Sequence, residues 1–174
     1  MGTGRARVGG IRTLIFVADR KTRSTSMRTL GIVICCMPLF ACVGTRPSDL
    51  GVTDGRLAPC PPSPNCVCSD AGDAAHAIPP LELSGTSPAP WDEIVTAVSE
   101  LPRTTSVTQR DGYLHAECQS AVFGFVDDLE LELRPEQGIV AIRSASRLGY
   151  GDLGVNRRRV ESLRAALSRR GLVR

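Results

Sequence analysis

Apolar residues recur at helical spacing over Trp91–Leu101. Trp91, Ile94, Val98 and Leu101 share a stripe, Asp92 and Glu93 sit in the first turn, Pro90 precedes the run and Pro102 closes it. The period then falls to two. Thr104–Gln109 is β-branched and alternating, and Asp111-Gly112 predicts a hairpin turn. Tyr113–Val122 sets Leu114, Ala116, Cys118 and Val122 on one face against His115, Glu117 and Gln119 on the other. Val126–Arg134 directs Leu129, Leu131 and Leu133 inward and Asp128, Glu130 and Glu132 outward, and Gln137-Gly138 turns the chain into Ile139–Ser146. A second helix, from about Val155 to Arg170, buries Asn156, Val160, Leu163 and Leu167 and stops at Gly171. The order α-β-β-β-β-α with short connections predicts an α+β domain. Its four-stranded antiparallel sheet carries both helices on the apolar face and leaves the polar face to water. Trp91 reads as a core anchor of the first helix. No internal repeat is present.

The pattern is irregular before this domain. Residues 60–90 contain Pro61, Pro62, Pro64, Pro79, Pro80, Pro88 and Pro90 and read as a Pro-rich arm that wraps the domain, neither helix nor central strand. Residues 42–59 lack periodicity and read as a flexible tether, so the domain proper is 60–174. Residues 30–41, LGIVICCMPLFA, are an apolar run of twelve. A membrane-spanning helix needs about 20 residues, whereas a signal-peptide core needs about this length. Arg28 follows Met27 as the positive flank, which suggests either that the true start is Met27 or that residues 1–26 are an unusually long positive flank. The run ends Leu39-Phe40-Ala41-Cys42, which resembles a bacterial lipobox, with Phe40 bulkier than usual. The resemblance implies cleavage before Cys42 and a diacylglyceryl thioether on its sulfur. The two or three acyl chains would hold the protein to the membrane facing the periplasm. Val43, in place of the Asp that retains lipoproteins at the inner membrane, leans toward the outer membrane.

Charge changes the picture once it is divided. The 174 residues carry a net +3, but seven basic residues against one acid make residues 1–41 net +6, and fourteen Arg against seventeen acids make the rest net −3. A polycationic nucleic-acid binder is thereby disfavoured. Of the seven Cys, Cys35 and Cys36 leave with the leader and Cys42 takes lipid, so Cys60, Cys66, Cys68 and Cys118 remain. An even number in an exported chain predicts disulfides. Cys66–Cys68 would be strained, and of the two surviving pairings Cys60–Cys66 with Cys68–Cys118 is preferred, the second bond tying the entry loop to the sheet. The spacing C-x5-C-x-C matches no standard zinc pattern, and neither a metal nor a cofactor is expected.

Three groups could carry chemistry. Asp127 has the parity of Leu129 and Leu131, so it points at the core and calls for a partner among Arg157, Arg158 and Arg159. The outward face offers His115, Glu117, Asp128, Glu130, Arg143 and Arg147, either a solvated polar face or a shallow binding surface. The third group opens the last helix, where Arg157, Arg158 and Arg159 oppose the helix dipole. Either Asp127, Asp128 and Asp152 compensate them, or they bind an anion beside Gly149, Gly151 and Gly154. The candidate anion-binding set is Arg143, Arg147, Tyr150, Asp152, Asn156, Arg157 and Arg158. The alternative is hydrolase or transferase chemistry by Asp127, Asp128, His115 and Glu117, though no nucleophile motif accompanies them.

CPPSPNC at 60–66, HAIPPL at 76–81, FVDDLELEL at 125–133 and RSASRLGYGDLGVNRRRVESLR at 143–164 together resemble the bacterial domain-of-unknown-function family 1499, over about residues 58–170. The resemblance implies a small envelope-associated domain and brings no reaction, substrate or catalytic residue. It also implies that Cys60 and Cys66 belong to the family pattern while this chain adds Cys68 and Cys118, in keeping with a bond between those two. The expectation is a non-enzymatic envelope lipoprotein whose partners are the membrane, through its anchor, and an envelope lipid, glycan or protein.

Overall fold

The computed structural model of the chain describes residues 44–174 apart from Thr86, Pro88 and Val122. The leader and Cys42 lie outside the described residues, as does Val122, expected on an inward face. In chain order come a hairpin, β1 (Val52–Thr53) and β2 (Arg56–Leu57), two short strands, β3 (Cys66–Cys68) and β4 (Leu81–Glu82), and helix α1 (Pro90–Ser99). Four longer strands follow, β5 (Thr104–Arg110), β6 (Tyr113–Gln119), β7 (Val126–Arg134) and β8 (Ile139–Ser146), and then helix α2 (Val155–Arg169).

The meander forms as the alternation predicts, each strand antiparallel to the next. The sheet, however, has six strands in the order β3-β8-β7-β6-β5, with β4 also on β8, and not four. The extra strands come from the Pro-rich arm. Cys66–Cys68 and Leu81–Glu82 are proline-free pieces whose N–H groups remain available, and both pair along the edge of β8 that the meander leaves open.

One face of the sheet carries the core. Leu114, Ala116, Leu129, Leu131, Val140 and Ile142 pack against Ile94 and Val98 of α1 and Val160, Leu163 and Leu167 of α2. None of the helices among the described residues is long and apolar enough to cross a membrane.

The opposite face departs from expectation. His115, Asp128, Glu130 and Arg143 are buried, not solvated. The segment read as a flexible tether crosses this face. Leu57 is buried in a second small cluster with Cys68, Tyr113 and Ala141, and Gly51 hydrogen-bonds into the sheet. Periodicity is silent here because the segment docks mainly through polar groups.

The disulfide expectation is corrected in half. Cys60 and Cys66 are bonded, whereas Cys68 and Cys118 are free, buried thiols. Cys68 lies on β3 and Cys118 on β6, with β8 and β7 between them. Three strand spacings amount to about 14 Å, twice the longest Cα separation a disulfide bridges. The two thiols also face opposite sides of the sheet, Cys118 in the main core and Cys68 in the second cluster.

Candidate functional site

The covered face of the sheet is the first candidate site. Register aligns His115 with Glu130 and Glu130 with Arg143 across β6, β7 and β8, and aligns Glu117 with Asp128 in the neighbouring row. Glu130 is wholly buried, and three groups hold its carboxylate: the Gly51 N–H at 2.7 Å, the Tyr113 hydroxyl at 2.8 Å and the Arg143 Nη1 at 2.8 Å. Gly51 meets Glu130 with φ +117, a conformation L side chains rarely adopt. His115 Nε2 lies 2.7 Å from the Asp128 carboxylate, which also takes two bonds from Arg147, at 2.9 and 2.7 Å. The same guanidinium reaches Glu117 at 2.6 Å, and Arg46 closes over Glu117 at 2.7 Å. Three carboxylates thus face three guanidiniums, and the 44–57 segment covers them.

The protonation energetics follow from this packing. Burial alone would raise Asp128, but the hydrogen bonds from Arg147 and His115 outweigh it and hold the carboxyl below its ordinary value. Glu117 is likewise lowered, burial being outweighed by Arg147 and Arg46. Burial and the adjacent Glu130 push the Tyr113 phenol far up. Asp128 and Glu117 are therefore anchored anions.

The second candidate is the start of α2. Asp152 accepts the N–H groups of Gly154 and Asn156 at 2.8 and 2.7 Å, a capping arrangement that holds its carboxyl low against the opposing effect of burial. Asn156 is fully buried. Its Oδ1 accepts from Ser144 and Arg159, each at 2.6 Å, and its Nδ2 donates to the Asn65 carbonyl at 2.9 Å, joining α2, β8 and the arm. Arg159 is the partner that Asp127 called for, at 2.6 Å. Asp128 and Asp152 do not compensate the helix arginines, since they are engaged with Arg147 and with the helix cap. Arg157 instead donates to the carbonyls of Ala75 and Ala77, and Arg158 to that of Leu153. Further along α2, Arg164 holds the carbonyls of Pro79 and Pro80.

The residues expected to bind an anion together are divided by the sheet. Arg143 and Arg147 belong to the covered face and are paired there with Glu130, Asp128 and Glu117. Asp152, Asn156, Arg157 and Arg158 lie at the start of α2, on the core side, and Tyr150 stands exposed in the loop before it. The alternative catalytic set is divided in the same way, with Asp127 on the α2 side and His115, Asp128 and Glu117 on the covered side.

The model of a family described as a protein of unknown function, DUF1499, matches residues 56–167. The chain belongs to this DUF1499 family. No curated protein and no solved structure matches it. In this DUF1499 chain, FVDDLELEL is the strand that carries Asp127, Asp128 and Glu130. RSASRLGYGDLGVNRRRVESLR runs from Arg143 through the capping Asp152 to the Arg164 clamp, and CPPSPNC closes the disulfide loop. Arg46, Gly51 and Asn65 were not legible in the sequence as parts of either site. No periodicity marks the first two, and Asn65 works through both its carbonyl, which accepts from Asn156, and its side-chain amide, which donates to the Gly149 carbonyl at 2.7 Å. Tyr113 had a signal, since its parity matches His115 and Glu117.

Proposed function

We propose that this DUF1499 chain is a non-enzymatic cell-envelope domain, lipid-anchored at Cys42, that binds an anionic envelope component at the start of α2. The observation carrying the binding is that Arg157 and Arg158 direct their guanidiniums to backbone carbonyls and form no ion pair among the described residues. A carbonyl satisfies the hydrogen bond but leaves the cationic charge uncancelled, so the helix start stays electropositive beside the exposed Tyr150. The anchor rests on the apolar run of twelve that ends at Cys42. Acid–base chemistry by His115, Asp128 and Glu117 would require the 44–57 segment to lift away. The Arg46–Glu117 and Gly51–Glu130 bonds oppose that.

Palmitate labelling tests the anchor. A globomycin-sensitive label that vanishes in Cys42→Ala is expected, and a label that survives the substitution rejects the anchor. Phosphate titration of the mature chain from residue 42, carrying Cys42→Ser, tests the anion site. Saturable amide shifts over residues 156–158 are expected, lost when Arg157→Gln and Arg158→Gln are combined. Shifts that do not saturate, or that persist in the double variant, reject the site.

A further inference from the structure

The described residues leave seven large apolar side chains exposed: Phe123, Phe125, Leu148, Tyr150 and Leu153 belong to two adjoining loops, and Val155 opens α2 beside them. The other, Val52, lies near Tyr113 and Arg110. Phe123 and Phe125 sit in the β6–β7 loop with ring centroids 5.6 Å apart. Arg147–Gly154 form the β8–α2 loop, and Leu153, two residues before the helix, is 93% exposed. The loops meet where the Arg147 N–H donates to the Val126 carbonyl at 3.3 Å, and Val155 shares a groove of about 340 Å³ with Ser120 and Ala121. A water-soluble surface rarely gathers its exposed apolar residues in this way without an occupant.

Two further observations identify the occupant. The described chain begins at Gly44, against this same end: a Cβ there would come 2.9 Å from the Arg147 Cβ and 3.1 Å from the Leu148 Cγ. Cys42 is two residues earlier, so the backbone confines its Cα to within about 7 Å of Gly44. Arginines that form no ion pair also outnumber the nearby carboxylate at this end. Arg103, which lines the same groove, forms no ion pair among the described residues, nor do Arg157 and Arg158, while the nearby Asp152 is occupied in capping α2. An apolar rim with unpaired arginines beside an acylated chain start matches the interface of an anionic bilayer.

We infer that this end of the molecule docks onto the membrane surface, with Phe123, Phe125, Leu148 and Leu153 entering the headgroup boundary and Arg103, Arg157 and Arg158 meeting lipid phosphates. The inference rests on the anchor and anion readings above and names the bilayer as the anionic component. It stands the sheet on end, with the β6–β7 and β8–α2 loops toward the lipid.

The acylated protein, purified from membranes and reconstituted in phosphatylethanolamine/phosphatidylglycerol vesicles with brominated acyl chains, tests it. Leu153→Trp adds an indole at this exposed position. Trp91 of the parent is the reference, lying in the first turn of α1, about 12 Å of helix from its last residue, Ser99, which precedes the groove-lining Leu101 by two residues. The introduced indole should shift to the blue and be quenched by about twofold or more, with the Trp91 signal little changed. An unquenched indole in a chain that carries palmitate overturns the docking and leaves the anchor standing. A blue shift without quenching puts the rim against protein and also overturns it. Flotation of the Cys42→Ser mature chain reads the surface without the anchor. Binding to phosphatidylglycerol vesicles should fall about tenfold in Leu153→Asp, and equal binding by both chains overturns the proposal. Phosphate shifts at residues 156–158 without vesicle binding identify a free anion in place of the bilayer and overturn the docking alone.

Discussion

Glu130 shows what a single side chain does in this protein. It sits at zero exposure in the middle of β7, where alternation directs it away from the apolar core. Its charge is tolerated because Arg143, Tyr113 and Gly51 each donate to it. Removing one member of a buried pair leaves the other uncompensated, a cost of about 3–5 kcal/mol. Glu130→Ala should therefore lower the unfolding free energy by about that amount in urea titration, and Tyr113→Phe by only about 1 kcal/mol. Equal small losses would show that the covered face is hydrated and not closed. Parity alone distinguishes Asp127 from Asp128: the first turns to Arg159 on α2, the second to Arg147 on the covered face.

At the scale of elements, the Pro-rich arm is held by side chains where its own backbone lacks donors. Arg157 and Arg164 of α2 take the carbonyls of Ala75, Ala77, Pro79 and Pro80. Of the three arginines that open α2 against its dipole, Arg157 thus helps hold the arm, with Arg164 two turns further along, while Arg159 pairs with Asp127 and Arg158 turns back to Leu153. The arm's turn at residues 73–76 carries a titratable device. His76 Nδ1 lies 2.8 Å from Asp73 and its Nε2 lies 3.2 Å from the Ser63 carbonyl. Both neighbours are acceptors, so both ring nitrogens must donate, which is the imidazolium form. The Asp73 carboxylate accordingly raises His76 above its ordinary value, and His76 lowers Asp73. A raised folded value means that the His76 contribution is complete below about pH 6.5 and is lost as pH rises through the raised value. Asp73 acts oppositely, its contribution being lost as acid protonates it. Urea midpoints measured from pH 5 to 9 should fall across the His76 titration in the parent and show a flatter profile in Asp73→Asn. An equal fall in both would assign the slope to other groups.

For the whole molecule, strand order governs which distant residues meet. The order β3-β8-β7-β6-β5 separates Cys68 from Cys118 and puts them on opposite faces. Burial raises both thiols, so neither is a ready nucleophile. The mature chain carrying Cys42→Ser should therefore bind no alkylating reagent when folded and two equivalents when unfolded without reductant. Zero equivalents after unfolding would restore the second disulfide. Much of the fold was legible in the chain itself. Periods of two and 3.6 residues locate the meander and both helices, because those elements bury one face or one stripe and the sequence must repeat accordingly. The inward parity of Asp127 and the Cys60–Cys66 loop were legible for the same local reasons. The remainder was decided by tertiary structure. Strands β3 and β4 exist because β8 offers them an open edge, and the polar face is buried because residues 44–57 cross it and supply Arg46 and Gly51. Arg143 and Arg147, expected to stand with Arg157, are instead on the far side of the sheet. Periodicity records which face of its own element a residue occupies, and only the assembled chain determines what covers that face.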